Sequence, residues 1–245
     1  MKKFLKDTLI NLFGRENLIK TRRNFYNVLK FQFTKIKNYQ NRSIKQIGIS
    51  GRHVSCGYYD VKIFNSDNRF MLVNSTSIDF LDPKLFLVNI EENYSLIFVA
   101  QSVISKQMGC RSQWLSDDSF VFNANDNVHG NHGLHVSSIN GPSRALRYPI
   151  YDLSDSTDMY VSLNFYSLEV CRPGYGFVEI NPNNTEAFSK LGHSELIFSA
   201  FTADEEIIKI NICNKLGCSC IDGHYVNHLK FSPDGRYCLA FHLEP

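Results

Sequence analysis

An aromatic pair beside a carboxylate is the first candidate for binding chemistry in this sequence. The run Gly57–Asp60 reads Gly-Tyr-Tyr-Asp, and His53 precedes it. Aromatic rings present broad faces for stacking on sugars, and a carboxylate accepts hydrogen bonds from sugar hydroxyls. We therefore expect a carbohydrate site here, built from His53, Tyr58, Tyr59 and Asp60. Packing of the same rings between neighbouring strands is the alternative.

Two further segments carry candidate binding groups. Gln107 and Arg111 open the next apolar segment, together with the single tryptophan, Trp114, which we expect in the core. The run Arg172–Gly176 reads Arg-Pro-Gly-Tyr-Gly and predicts a turn whose glycines allow a ligand to approach closely. Arginine binds carboxylates through two parallel hydrogen bonds, and Tyr175 adds another ring. A plain connector is the alternative for this turn.

Histidines form two groups. His224 and His228 lie four residues apart before one apolar segment, and His242 follows it. Imidazole is a good ligand for several transition metals. Residues 127–135 contain three histidines among two glycines and two asparagines, a composition that predicts an exposed hairpin loop more than a metal site.

A repeated strand pattern must position these residues. From about residue 48, an apolar segment, a Ser, Asp, Pro or Gly turn and a second apolar segment recur four times. The turn serines are Ser66, Ser116, Ser154 and Ser232. The last gap is about twice the one before it, so we expect a diverged unit near residues 193–198 to fill it.

The period predicts an all-β fold, a β-propeller with four-stranded blades over residues 48–245. A β-sandwich with similar hairpins is the alternative. About four to five blades fit this length, fewer than the six or seven that are common, so we expect an incomplete ring, with an unusually small ring as the alternative. In such a ring, Gln107 and Arg111 can face the central funnel.

The clearest repeat carries a family resemblance. Residues 227–242 read Asn-His-Leu-Lys-Phe-Ser-Pro-Asp-Gly-Arg-Tyr-Cys-Leu-Ala-Phe-His. This unit resembles the blade motif of TolB-like propellers and, more narrowly, that of oligogalacturonate lyases. Residues 57–60, 107–115 and 172–176 are similar to segments of uncharacterised bacterial propeller proteins associated with polysaccharide gene clusters. The resemblance covers roughly residues 50–245.

The resemblance to the lyases implies a metal site and a reaction. It places His228 and His242 near the funnel, where the lyases hold manganese. Such a metal polarises a uronate carboxylate while a base removes a proton, and Arg172 is the candidate base or substrate clamp. Structural hydrogen bonds are the alternative role for the two histidines. The Ser-Pro-Asp-Gly turn occurs in unrelated propellers, so it indicates fold and not activity.

The charges divide the chain into two parts. Residues 1–47 hold 12 Lys and Arg against 2 Asp and Glu, whereas residues 48–245 hold 14 against 22. Within the first part, residues 1–33 predict a basic amphipathic helix, which can lie on an anionic membrane surface or pack on its own domain. The acidic second part argues against nucleic-acid binding.

Composition excludes several classes of protein. At 43% hydrophobic residues the chain can form a core, so it is not intrinsically disordered. No apolar run reaches about 18 residues, so no transmembrane helix is expected. Seven cysteines without an even spacing favour a reducing compartment. We expect a cytoplasmic protein, with membrane contact through residues 1–33 as a further option.

These observations support two hypotheses about function. The first is a non-catalytic β-propeller that binds a glycan or a protein partner in bacterial surface-polysaccharide metabolism. The second is a metal-dependent polysaccharide lyase, for which manganese is the expected cofactor. The first needs no metal, and the second requires the predicted histidine ligands to meet.

Overall fold

Antiparallel hairpins, each connecting one strand to the next along the chain, form nearly all of the regular structure. A computed structural model describes residues 45–126, 130–136, 139, 141–177, 194–217 and 224–243. Nearly all of the predicted basic arm therefore lies outside the described residues. Residues 47–245 form one compact unit. Its described strands make three four-stranded sheets and one two-stranded sheet.

The first sheet has the strand order β1-β2-β3-β4. Its strands are β1 (Arg52–Ser55), β2 (Phe70–Ser77), β3 (Lys84–Asn89) and β4 (Ser95–Gln101). The apolar start of β2 is buried on both faces, whereas β4 at the edge is mostly exposed. After β1 the chain leaves β2, and it pairs with β2 again where Phe64 bridges to Met71. We call the intervening residues 56–63 the tyrosine loop.

The second sheet has the strand order β5-β6-β7-β8. Its strands are β5 (Gln113–Trp114), β6 (Phe120–Asp126), β7 (Gly130–Val136) and β8 (Ser143–Ala145). The hairpin loop predicted for residues 127–135 is therefore wrong over most of its length, because residues 130–135 belong to β7. Gly133 shows the reason: a Cβ atom there would lie 2.8 Å from Cγ1 of Ile150. This glycine permits close packing instead of a turn.

The third sheet has the order β12-β11-β10-β9. Its strands are β9 (Asp152–Leu153), β10 (Met159–Leu163), β11 (Glu195–Ala200) and β12 (Glu205–Asn211). The diverged unit predicted near residues 193–198 is wrong, because β11 pairs with both β10 and β12. Extra chain after β10 lengthens this repeat, and it begins with helix α1 (Phe165–Cys171). The Asn164 side chain caps α1 by accepting from the Ser167 N–H.

The last sheet pairs β13 (Tyr225–Phe231) with β14 (Cys238–Leu243). Helix α2 (Ile212–Leu216) precedes it and ends at Gly217 in the left-handed conformation. The turn between β13 and β14 is the predicted Ser-Pro-Asp-Gly turn, with Gly235 at φ 68° and its N–H donating to the Ser232 carbonyl.

One apolar cluster runs through all four sheets. It contains Leu72 of the first sheet, Trp114 of the second, Val161 of the third and Leu229 of the fourth, each at most 3% exposed. The predicted core position of Trp114 is confirmed. Among the described residues, no helix has the length and apolar character needed to cross a membrane.

Candidate functional site

The tyrosine loop makes a tight turn at its apex. The Val61 N–H donates to the Tyr58 carbonyl at 3.2 Å. A Cβ atom on Gly57 would lie 2.5 Å from Cγ2 of Val61, so only glycine fits at the entrance to this turn. The turn leaves Tyr58 half-buried and Tyr59 81% exposed.

The turn at residues 172–176 follows α1 and is held from both sides. One Glu169 carboxylate oxygen accepts from the N–H groups of Gly174 and Gly176, at 2.8 and 3.0 Å. The Gly174 carbonyl accepts from the Gln107 N–H at 2.9 Å and from the Ser105 hydroxyl at 2.8 Å. A Cβ atom on Gly176 would collide with the α1 backbone. This glycine therefore serves packing, not the approach of a ligand.

A bulge in β13 presents His228. The register of β13 against β14 shifts between Asn227 and Lys230, and His228 has φ 52°. Its N–H donates to the Tyr151 hydroxyl at 3.0 Å and to Oδ1 of Asn227 at 2.8 Å. The imidazole contacts the ring of Phe241 on β14, with centroids 5.6 Å apart.

These three segments meet in an aromatic cluster, which consists of Tyr58, Tyr59, Tyr175 and His228. Ring centroids are 6.4 Å apart for Tyr58 and Tyr175, 6.3 Å for Tyr58 and His228, and 5.9 Å for Tyr175 and His228. Tyr59 packs against Tyr58 at 4.4 Å and faces solvent. Since three of the rings already pack on one another, the exposed Tyr59 ring is the surface open to a ligand.

Polar and charged groups border the aromatic cluster. The exposed Arg172 guanidinium lies 5.7 Å from the ring centre of Tyr175. Gln107 is also exposed, and its chain passes directly beside Gly174. The cluster therefore combines a flat apolar ring with hydrogen-bond donors at its margin, a combination typical of sites for polar organic ligands.

A buried arginine supports the tyrosine loop from below. The Arg111 side chain has no exposed surface; its Nη1 donates to Asp60 at 2.8 Å. Its Nε and Nη2 donate to the Tyr151 carbonyl at 2.8 and 2.6 Å. Lys230 adds a bond from its Nζ to the Asp60 carbonyl at 3.3 Å. The protein's own groups thus occupy the hydrogen-bonding positions of Arg111, so a ligand reaches this guanidinium only if the loop moves.

Burial raises the pKa values of two phenols at or beside the site, those of Tyr58 and Tyr151. It raises the pKa of Tyr58 above its ordinary value, and the hydrogen bond with Tyr175 raises that pKa further. Burial likewise raises the pKa of Tyr151 to about 12, although the nearby Arg111 opposes the change. At neutral pH the hydroxyls of Tyr58 and Tyr151 therefore act as donors and acceptors of hydrogen bonds and not as phenolate bases.

Two predicted site residues lie elsewhere. His53 on β1 stacks on Phe80, with centroids 5.2 Å apart. His242 stacks on His224 at 5.0 Å, on the face of β14 opposite to Phe241, whereas His228 contacts Phe241 itself. In the part of the chain that the structure describes, no three His, Cys, Asp or Glu side chains group as metal ligands.

Sequence reasoning missed the residues that join the segments of the site. Tyr151 contacts Arg111 through its carbonyl and bonds Oδ1 of Asn227 through its hydroxyl at 2.8 Å. Buried Asp152 accepts from Lys230 Nζ and from the Phe231 N–H, both at 2.8 Å. One local signal was available, because Tyr151 and Asp152 stand just before the turn of the third repeat.

Comparisons with known proteins add nothing to the description of this site. The sequence matches no protein-family model, and it has no match among curated proteins.

Proposed function

We propose that this protein is a β-propeller that binds a glycan without catalysing its conversion. The supporting contacts join segments of each sheet to segments of the next sheet in chain order. The Trp114 N–H donates to the Lys62 carbonyl, linking the first and second sheets. Arg111 links the second to the third, and the Tyr151 hydroxyl links the third to the fourth. Four-stranded sheets that contact one another in chain order fit the arrangement of propeller blades.

The aromatic cluster is the observation that carries the binding proposal. Tyr59 offers an exposed ring on a turn that Gly57 and the Asp60–Arg111 ion pair hold in place. A ring that is already fixed loses little conformational entropy when a sugar stacks on it. Arg172 and Gln107 at the margin can donate hydrogen bonds to sugar oxygens. These features therefore suit glycan binding better than they suit catalysis.

Binding to a glycan array, with matched tyrosine variants, tests the proposal. Tyr59→Ala removes the exposed ring, and we expect the affinity for retained glycans to fall about tenfold or more, since aromatic contacts of this kind contribute about 1–3 kcal/mol. Tyr237→Ala is the control, because Tyr237 is 71% exposed in the turn before β14 and is not part of the aromatic cluster. Absence of any retained glycan, or equal losses in both variants, would contradict the proposal.

A protein partner is the alternative to a glycan, and the same variants separate the two. If Tyr59→Ala weakens capture of a protein while the array stays blank, the partner is a protein. Our placement of the protein in bacterial surface-polysaccharide metabolism rests only on the sequence resemblance.

The lyase alternative has weaker support in the described residues. His228 and Arg172 both border Tyr175, as a substrate site requires. However, His228 and His242 contact different partners on different faces of the fourth sheet, so this pair does not fit one shared metal ion, and we derive no step through manganese. An assay for unsaturated uronate product with added Mn²⁺ checks this alternative, which predicts activity that His228→Ala abolishes.

A further inference from the structure

We propose that Arg111 is a positioning residue that latches the tyrosine loop to the third sheet and thereby fixes where Tyr59 is presented. The link to ligand binding rests on the proposed function, whereas the latch itself does not. Arg111 precedes β5 of the second sheet, Asp60 lies in a loop of the first, and Tyr151 directly precedes β9 of the third. A single guanidinium therefore connects segments of three consecutive sheets beside the tyrosine loop.

The geometry of this latch requires an arginine. Three nitrogens of Arg111 make three hydrogen bonds, two to the Tyr151 carbonyl and one to Asp60, all between 2.6 and 2.8 Å. The guanidinium also lies 4.4 Å from the ring centre of Tyr151. A lysine ammonium is a point charge and cannot span both partners in one plane. Arg111 moreover has φ 56°, a backbone conformation that its side-chain contacts help to maintain.

The loop end of the latch is the weaker end. The Arg111 side chain is fully buried, but Asp60 retains 17% of its exposure, and it lies near the apex of the loop, before the Lys62 and Ile63 carbonyls that accept backbone hydrogen bonds from neighbouring strands. Lys230 adds one longer bond to the Asp60 carbonyl. Loss of the Asp60 carboxylate is therefore expected to free the loop while the bonds from Arg111 to Tyr151 remain.

Limited chymotrypsin digestion of the full chain, with peptides identified by mass spectrometry, tests the latch. Chymotrypsin cleaves after tyrosine, so Tyr58 and Tyr59 report directly on loop opening. In Asp60→Ala we expect cleavage at these two sites to accelerate at least about tenfold, because a hydrogen bond to a charged group is lost. Asp60→Asn keeps an oxygen that can accept from Arg111, and we expect an intermediate rate.

Asp82→Ala is the matched control. It removes an aspartate of the same sheet that pairs with Arg52 and Lys84, away from the tyrosine loop. We expect its cleavage after Tyr58 and Tyr59 to stay at the rate of the unmodified protein. The double variant Asp60→Ala/Arg111→Met should accelerate cleavage of the loop by less than the product of the two single-variant effects, because each single change already removes the Asp60–Arg111 bond.

Three results would decide against the latch. These are equal cleavage in Asp60→Ala and the unmodified protein, additive effects in the double variant, and cleavage in Asp60→Ala that spreads at once to core sites, which would assign Asp60 to overall stability. A loop that opens as expected in a protein that retains no glycan keeps the latch and refutes the proposed function. With a retained glycan, Asp60→Ala should weaken binding, and it should also lower the unfolding midpoint because the buried Arg111 guanidinium loses its counter-charge.

Discussion

The carboxylate of Asp152 is shielded from water. Its side chain is fully buried, and burial raises its pKa above the ordinary value although Lys230 and the Phe231 N–H favour the ionised form. A carboxyl with a higher pKa in the folded protein binds more protons when folded. Its contribution to the free energy of unfolding therefore falls as pH rises from the unfolded pKa, about 3.9, through the raised folded value.

Removal of Lys230 should reveal the free-energy cost of burying the Asp152 carboxylate. In Lys230→Met the Asp152 carboxylate loses its counter-charge, and we expect the free energy of unfolding to fall by about 1–3 kcal/mol at neutral pH. The loss should shrink below the unfolded pKa, where Asp152 is protonated in both states. Urea denaturation at several pH values measures this. Lys62→Met, which breaks an exposed pair with Asp155, should stay near the unmodified protein, and a pH-independent loss in Lys230→Met would refute the explanation.

Residue types in the site were visible in the sequence, but their meeting was not. Tyr58, Tyr59 and Asp60 form a conspicuous local run, and Tyr175 stands in an evident turn. The ion pair between Asp60 and Arg111 spans 51 residues, and it depends on which sheets adjoin. His53 was grouped with the tyrosines because it is close in sequence, yet in the structure it stacks on Phe80.

At the scale of elements, two glycines with the same backbone conformation make a matched comparison. Gly235 in the turn before β14 has φ 68°, and Gly217 after α2 has φ 69°. A Cβ atom on Gly235 would lie 2.6 Å from Oγ of Ser154 in the neighbouring sheet, whereas Gly217 has open space around it. The two substitutions share the cost of the left-handed conformation and differ only in packing.

We expect Gly217→Ala to lower the free energy of unfolding by about 1 kcal/mol and Gly235→Ala by about 2–4 kcal/mol. The larger loss follows because the turn must move away from Ser154, or Ser154 from the turn. Chemical denaturation of both variants measures the difference. Equal losses would show that the packing of the turn between β13 and β14 against Ser154 does not resist an added methyl group.

The hairpin turns were the most predictable elements, because turn chemistry is local. Ser154 and Ser232 stand in turns between the first and second strands of their sheets, as the repeat predicts. The third repeat was misjudged because α1 and the chain after it lengthen it, so spacing alone suggested an additional unit. β7 was misjudged because glycine has two uses, in turns and in close packing, and only the neighbouring Ile150 distinguishes them.

At the scale of the whole molecule, the four sheets share both a core and a polar connection. The apolar cluster runs from Leu72 in the first sheet to Phe231 in the fourth. The buried Asn123 side chain bonds the Ile150 N–H and carbonyl, at 2.7 and 2.8 Å, and so joins the second sheet to the segment that enters the third. Sheets that share buried contacts in this way are expected to unfold together.

Tyr151→Phe tests this cooperativity. The change removes a hydroxyl that bonds Asn227 and the His228 N–H in the fourth sheet but keeps the ring, and we expect a loss of about 1–2 kcal/mol. The single tryptophan, Trp114, reports on the second sheet by fluorescence, while far-ultraviolet circular dichroism reports on all strands.

Both signals should move to the same lower denaturant midpoint in Tyr151→Phe, although the substitution lies in neither Trp114 nor its sheet. Tyr148→Phe is the control, since its hydroxyl bonds the exposed Glu206 and its loss should shift both midpoints less. If the tryptophan transition stayed in place while circular dichroism shifted, the second sheet would be unfolding independently of the third and fourth. A shared core would then be insufficient to couple the repeats, and the hydroxyl of Tyr151 would act only between its two nearest sheets.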